Sequence, residues 1–186
     1  LSDDIPPTAA GHKSLATNLS DIAAMGGVSR AALLSIALPK DVSAEWAEDF
    51  MKGFNALAAR ENIALIGGDT SKSRHDVVIS ITIIGEAPNT NIKYRRNAKA
   101  GDVIAVTRPL GASAAGLRAI IHKEKNKEGI EAHYWPQPEC ALGAFLGAQA
   151  SVHAMLDVSD GLVQDLKHIL HQSGGGATLD IPENLV

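Results

Sequence analysis

The residue pattern of this chain changes period again and again. Short runs rich in β-branched and apolar residues alternate with longer runs whose apolar positions recur every three or four residues. Glycine or proline marks many of the changes. Strands mixed with helices of moderate length imply a layered α/β or α+β architecture. Residues 15–25 set Leu15, Leu19, Ile22 and Met25 at helical spacing, and Gly26-Gly27 supplies a stop. Residues 31–38 read as a buried strand ended by Pro39. Ser43 caps a helix expected over 44–61, with Glu45, Glu48 and Asp49 at its favourable end and Trp46, Phe50, Phe54, Leu57 and Ala58 on its inner face. A short strand at 64–66 runs into the turn-like Gly67-Gly68-Asp69-Thr70, and 77–85 is the clearest strand.

Residues 89–100 are polar and carry Lys93, Arg95, Arg96 and Lys99, which makes them the candidate linker. They divide the chain into domains expected at 1–92 and 93–186. In the second, strands are expected at 103–106, 152–156 and 177–181, and helices at 113–121, 139–150 and 162–171. The charged run 122–131 reads as an exposed loop.

A chain of 186 residues can bury a sizeable core in one or two domains. A net charge of −4 argues against a nucleic-acid or anionic-membrane surface built on bulk charge. An enzyme for phosphates would then need local cation sources: metals, arginines or helix termini. The single cysteine, Cys140, excludes an internal disulfide and fits a reducing, cytoplasmic compartment. No apolar run approaches the roughly 20 residues of a membrane helix, and no signal peptide is visible. The chain starts at Leu1 in a loop-like stretch and stops just after a strand-like one, so it is expected to be a piece of a longer protein.

Three acidic spots fall at or near element ends. Asp157-Val158-Ser159-Asp160-Gly161-Leu162 carries two carboxylates and a hydroxyl between a strand and a helix. Alone it reads equally as a capped turn or as oxygen ligands for a hard cation beside a phosphate-favouring helix N-terminus. Asp21 lies near the apolar face of its helix, where a carboxylate is costly unless paired or metal-bound; the alternative is a partly exposed polar residue. Asp69 follows two glycines, where the backbone can approach a ligand closely, or simply closes a turn. Together the three would suit Mg²⁺. Zinc-like His/Cys pairs, a Gly-x-Ser-x-Gly elbow and a P-loop are all missing.

The ordered set Asn18–Gly26, Leu65–Thr70, Gly101–Thr107, Ser113–Leu117 and Asp157–Leu162 resembles the thiamine-monophosphate kinases. These belong to the aminoimidazole-ribonucleotide-synthetase-like superfamily. The resemblance implies a two-domain, PurM-like α/β (α+β) architecture. Its N-terminal domain contributes strands to a dimer sheet or barrel, its C-terminal domain is α+β, and ATP binds between. It implies a homodimer with ATP and thiamine monophosphate as partners, forming thiamine diphosphate by Mg²⁺-assisted direct phosphoryl transfer. By match to the family pattern, Asp21, Asp69, Asp157 and Asp160 would ligate Mg²⁺, with Asp69, Asp157 and Asp160 catalytic. Gly68 and Asp69 would border the ATP phosphates, and Ser159 would hydrogen-bond a phosphate or nucleotide oxygen. Arg95, with Arg96 a close second, would contact nucleotide phosphate; the alternative is a solvated linker charge. Asp102 is expected to be a turn residue. Two positions depart from the family pattern: Arg108 follows Val106-Thr107 where glycine is common, and Glu139 follows Pro136-Gln137-Pro138 where arginine is common. The family's Gly-Asp-Asp-Ala turn and its C-terminal thiamine-holding part are not in the sequence. The alternatives are another ATP-dependent synthetase of the superfamily, selenophosphate-synthetase-like or hydrogenase-maturation-like, and a non-catalytic nucleotide-binding or dimerisation fragment.

Overall fold

A computed structural model of the protein describes residues 5–180. Helix α1 (Pro7–Ala24) starts well before the expected helical stripe, with Pro7 at a first-turn position that has no use for its missing N–H. Gly26, at φ +76°, turns the chain into β1 (Val28–Leu38). Helix α2 (Ala44–Arg60) follows, its Ser43 cap accepting the Trp46 N–H at 3.1 Å. Strands β2 (Ala64–Lys72) and β3 (Val78–Glu86) complete a three-stranded sheet in the order β2-β1-β3. β1 runs parallel to β2 and antiparallel to β3. Helices α1 and α2 bury Leu15, Leu19, Phe50, Phe54 and Leu57 together with Ala32 and Leu34 of β1. Ile79, Ile81 and Ile83 of β3 pack on that core, whereas Val78 and Ile84 point outward. β3 therefore turns one apolar face to the core and the other outward, with the two-residue period of a strand.

The Gly67-Gly68-Asp69-Thr70 stretch is not a turn. It continues β2, pairing Gly68 with Leu34 and Asp69 with Ser35, after a register shift at Ile66. Gly68 has φ +148°, and a β-carbon there would lie 2.5 Å from the Leu34 carbonyl carbon, so glycine is what lets the strands close.

Beyond two 3-10 turns at Asn89–Asn91 and Arg95–Asn97 come α3 (Ala112–His122), α4 (Lys127–Tyr134), α5 (Cys140–Gly147) and α6 (Leu162–Ser173). The expected charged loop ends in α4, which Asn126 caps by accepting the Gly129 N–H. α3 meets α4 where Gly116 and Gly129 bring the two backbones together. The expected strands at 103–106, 152–156 and 177–180 form no ladder; residue 181 of the last lies outside the described residues. A strand exists only when a neighbour takes up its N–H and C=O groups, and no described segment does so here. The linker is docked rather than loose. Buried Lys93 gives its backbone N–H to the Met25 carbonyl and its Nζ to the Gln149 carbonyl. None of the described helices is long and apolar enough to cross a membrane.

Candidate functional site

Asp21 stands in the last turn of α1, solvent-facing, and Asp157 enters the loop before α6. Arg95 lies in the 3-10 turn against which α6 packs, its carbonyl accepting the Ser173 hydroxyl at 2.7 Å. The fold brings these three within electrostatic reach. Burial raises the Asp21 carboxyl above its ordinary value, the Asp157 carboxylate adds to the rise, and Arg95 opposes it. The neighbouring arginine is differently engaged: Arg96 lies over the Tyr94 ring, 4.3 Å from its centroid.

Asp69 is placed elsewhere on the surface, on exposed β2. There it lines an open groove of about 620 Å³ with Gly68, Leu34, Phe50 and Met51. Asp160 and Ser159 are exposed in the 157–161 loop. Among the described residues no three His, Cys, Asp or Glu side chains converge as a metal-holding group. The structure thus joins Asp21, Asp157 and Arg95, and leaves Asp69 with Gly68 on the sheet. Two carboxylates with oxygen donors alone fit Mg²⁺, which takes one or two protein carboxylates and completes its shell with water and phosphate oxygens.

The 157–161 loop is held by a residue that its sequence did not single out. Asp165, buried in the first turns of α6, accepts the backbone N–H groups of Ser159, Asp160 and Gly161 on one oxygen, at 2.9, 3.0 and 3.1 Å. Gly161, at φ +110°, is the α6 N-cap and offers no side chain of its own.

Asp102 closes a turn. Its carboxylate accepts the Lys99 N–H at 2.8 Å and meets His153 Nδ1 at 2.8 Å; both contacts hold it below its ordinary value, the Lys99 bond foremost. The two departures from the family pattern meet each other, Arg108 pairing with Glu139. A second cluster ties α1 to α4: Lys13 Nζ lies 3.1 Å from His133 Nε2, and Ser113 Oγ 3.0 Å from His133 Nδ1.

Comparison with known proteins places both halves. Residues 2–87 match the AIR synthase related protein, N-terminal domain, and residues 99–185 match its C-terminal domain. The thiamine-monophosphate kinase of Buchnera aphidicola subsp. Schizaphis graminum is 39% identical over 184 residues, 96% of this chain and 55% of the relative. Among solved structures, AaThiL complexed with AMPPCP and TMP superposes with a TM-score of 0.86 at 31% identity, over 92% of this chain and 55% of that one. The thiamine-monophosphate kinase of Stenotrophomonas maltophilia K279a gives 0.85 at 37% identity, over 94% and 57%. The chain therefore spans about half the length of the relatives that it matches.

Proposed function

Because this chain belongs to the AIR synthase related family and carries sequence from both of its domains, we propose that it is the ATP- and metal-binding part of a thiamine-monophosphate kinase. The observation that carries this reading is the likeness, across both halves, to a protein solved with AMPPCP and TMP together. The reaction would move the terminal phosphoryl group of ATP onto thiamine monophosphate, releasing ADP and thiamine diphosphate. Both reactants are polyanions, so positioning and charge neutralisation are the main requirements, and no covalent enzyme intermediate is needed.

Asp21 and Asp157 would hold Mg²⁺ from opposite halves of the chain with Asp160 beside them, while Asp69, on the sheet, would ligate metal carried by the ATP phosphates along β2. Mg²⁺, when bound, neutralises phosphate charge. Asp69, Asp157 and Asp160 are the catalytic carboxylates in this reading. Gly68 and Asp69 would border the ATP phosphates along β2, and Ser159 would hydrogen-bond a phosphate or nucleotide oxygen. Arg95 would contact nucleotide phosphate; its electrostatic reach to Asp21 supports it over Arg96, which is occupied on Tyr94. The protein would act as a homodimer, since β2 and β3 are both edges of the small sheet, and their exposed faces offer apolar and backbone groups to a second copy.

The deciding assay couples ADP release to thiamine monophosphate in the full-length protein. Turnover with that acceptor is expected; none there, with turnover on selenide or carbamoyl phosphate, would reassign it within the family. Calorimetry of this chain with AMPPCP and Mg²⁺ tests the binding part, because a purely structural module gives no heat.

A further inference from the structure

The loop that bears Asp157, Ser159 and Asp160 does not offer its backbone to a phosphate. Three consecutive N–H groups, of residues 159, 160 and 161, converge as an anion nest normally does, and the nest is filled by the chain's own Asp165. We propose that Asp165 is a positioning residue for the proposed phosphoryl transfer. It occupies the α6 N-terminus as an internal anion, so that the loop presents side-chain oxygens to a cation rather than N–H groups to phosphate. Asp165 is only 5% exposed and its engaged oxygen carries three bonds, so it acts on the loop and not on a ligand. The surroundings agree. Gly161 provides no side-chain cap, and the Asp165 N–H itself bonds the Gly161 carbonyl at 3.0 Å, which closes the turn from both sides. Bonds from N–H groups to a carboxylate are about twice as strong as neutral ones, so one charged oxygen can hold a loop that has two other carboxylates pulling on it.

The inference rests on the metal-binding reading above, and its test separates the two. In full-length protein, Asp165→Asn keeps the shape and removes the charge, while Asp165→Ala empties the nest. Hydrogen exchange at amides 159–161 should accelerate at least tenfold in Asp165→Asn, with the amides of α1, α2 and β1 unchanged. Mn²⁺ binding in the presence of AMPPCP, read by electron paramagnetic resonance, should weaken by about 10- to 100-fold, the range seen when groups that orient metal ligands are lost. Asp165→Glu should not restore it, because the longer side chain misplaces the oxygen. The emptied nest of Asp165→Ala should gain inhibition by inorganic phosphate. If Asp165→Ala does not fold, the Asp165→Asn measurements decide alone. Unchanged exchange at 159–161, or unchanged Mn²⁺ affinity with faster exchange, overturns the proposal. Wild-type protein that lacks kinase turnover while its Mn²⁺ affinity still falls in Asp165→Asn would sink the kinase reading and leave the positioning role standing.

Discussion

Replacing Gly53 with alanine sets two effects of known size against each other. Gly53 lies inside α2, where alanine is favoured over glycine by about 1 kcal/mol. Its α-carbon, however, faces the first turn of α1. An added β-carbon would stand 2.6 Å from the Thr8 carbonyl carbon and 2.8 Å from the Thr8 α-carbon. Carbon atoms rest at roughly 3.5–4.0 Å, so the helices would have to part by about 1 Å. The obstacle is main chain, which no rotamer change removes. Parting them loosens Leu15, Leu19, Phe50 and Phe54, all at 0% exposure. Overpacking of this kind costs about 1–3 kcal/mol, and a backbone obstacle belongs at the upper end. The net expectation is a loss of about 1–2 kcal/mol, or roughly 2–8 °C in Tm for a chain of this size. Urea unfolding followed by circular dichroism measures it. A midpoint equal to or above that of the wild type would show that helix propensity wins and that the α1–α2 contact is not close-packed.

Three further outcomes follow from charge and burial. Asp21→Asn should raise the stability of the metal-free protein near pH 7, since a carboxyl whose folded value is raised costs the fold once it ionises. Because Asp21 is largely exposed, the gain is on the order of a few tenths of a kcal/mol; the same variant should lose the Mg²⁺-dependent rise in Tm, and a fall in metal-free Tm would show a structural partner instead. His133 is lowered in the fold by burial and then by Lys13, so the unfolded chain takes up a proton first as pH falls. Stability from this group is whole above about 6.5 and declines below it, and His133→Gln should flatten that slope in unfolding curves taken from pH 5 to 8. Cys140, whose thiol is pushed up to about 12 by burial and then by the Glu61 carboxylate, should resist iodoacetamide at pH 8 until the protein is unfolded; rapid labelling of native protein would contradict its placement.

The elements that declared themselves in the sequence are those whose cause is local. α2 carries its own cap and inner face, and β3 its own run of β-branched residues, so both stand close to where the pattern put them. The segment around Gly68 was read as a turn because glycine pairs usually bend; here they let β2 approach β1, a fact that depends on the neighbour. Residues 103–106 and 152–156 have strand composition but no described partner, and composition cannot supply one. α4 hid in a charged run, although Asn126 three residues before Gly129 was a readable cap. Lys93 was read only as one charge of the polar linker, and the docking of 89–100 buries it. Of the candidate site residues named from the motifs, Asp21, Asp157 and Arg95 lie within electrostatic reach of one another, and Asp69 lies on β2. Asp165 gave no signal: an acidic residue in an early helix turn is common, and its use as a bracket appears only when the loop folds back on it.

The joint between the halves has a consequence for how far apart they can stand. Behind Asp21, a β-carbon at Gly143 would lie 2.8 Å from the Ala23 carbonyl carbon, and one at Gly147 would lie 2.7 Å from the Gly26 α-carbon. Lys93 pins the same seam to Met25 and Gln149. The seam between α1 and α5 is therefore held main chain against main chain. A joint built that way behaves as a caliper locked at one setting, because no rotamer change can alter it. A methyl group at position 143 or 147 would be a wedge that forces that spacing open.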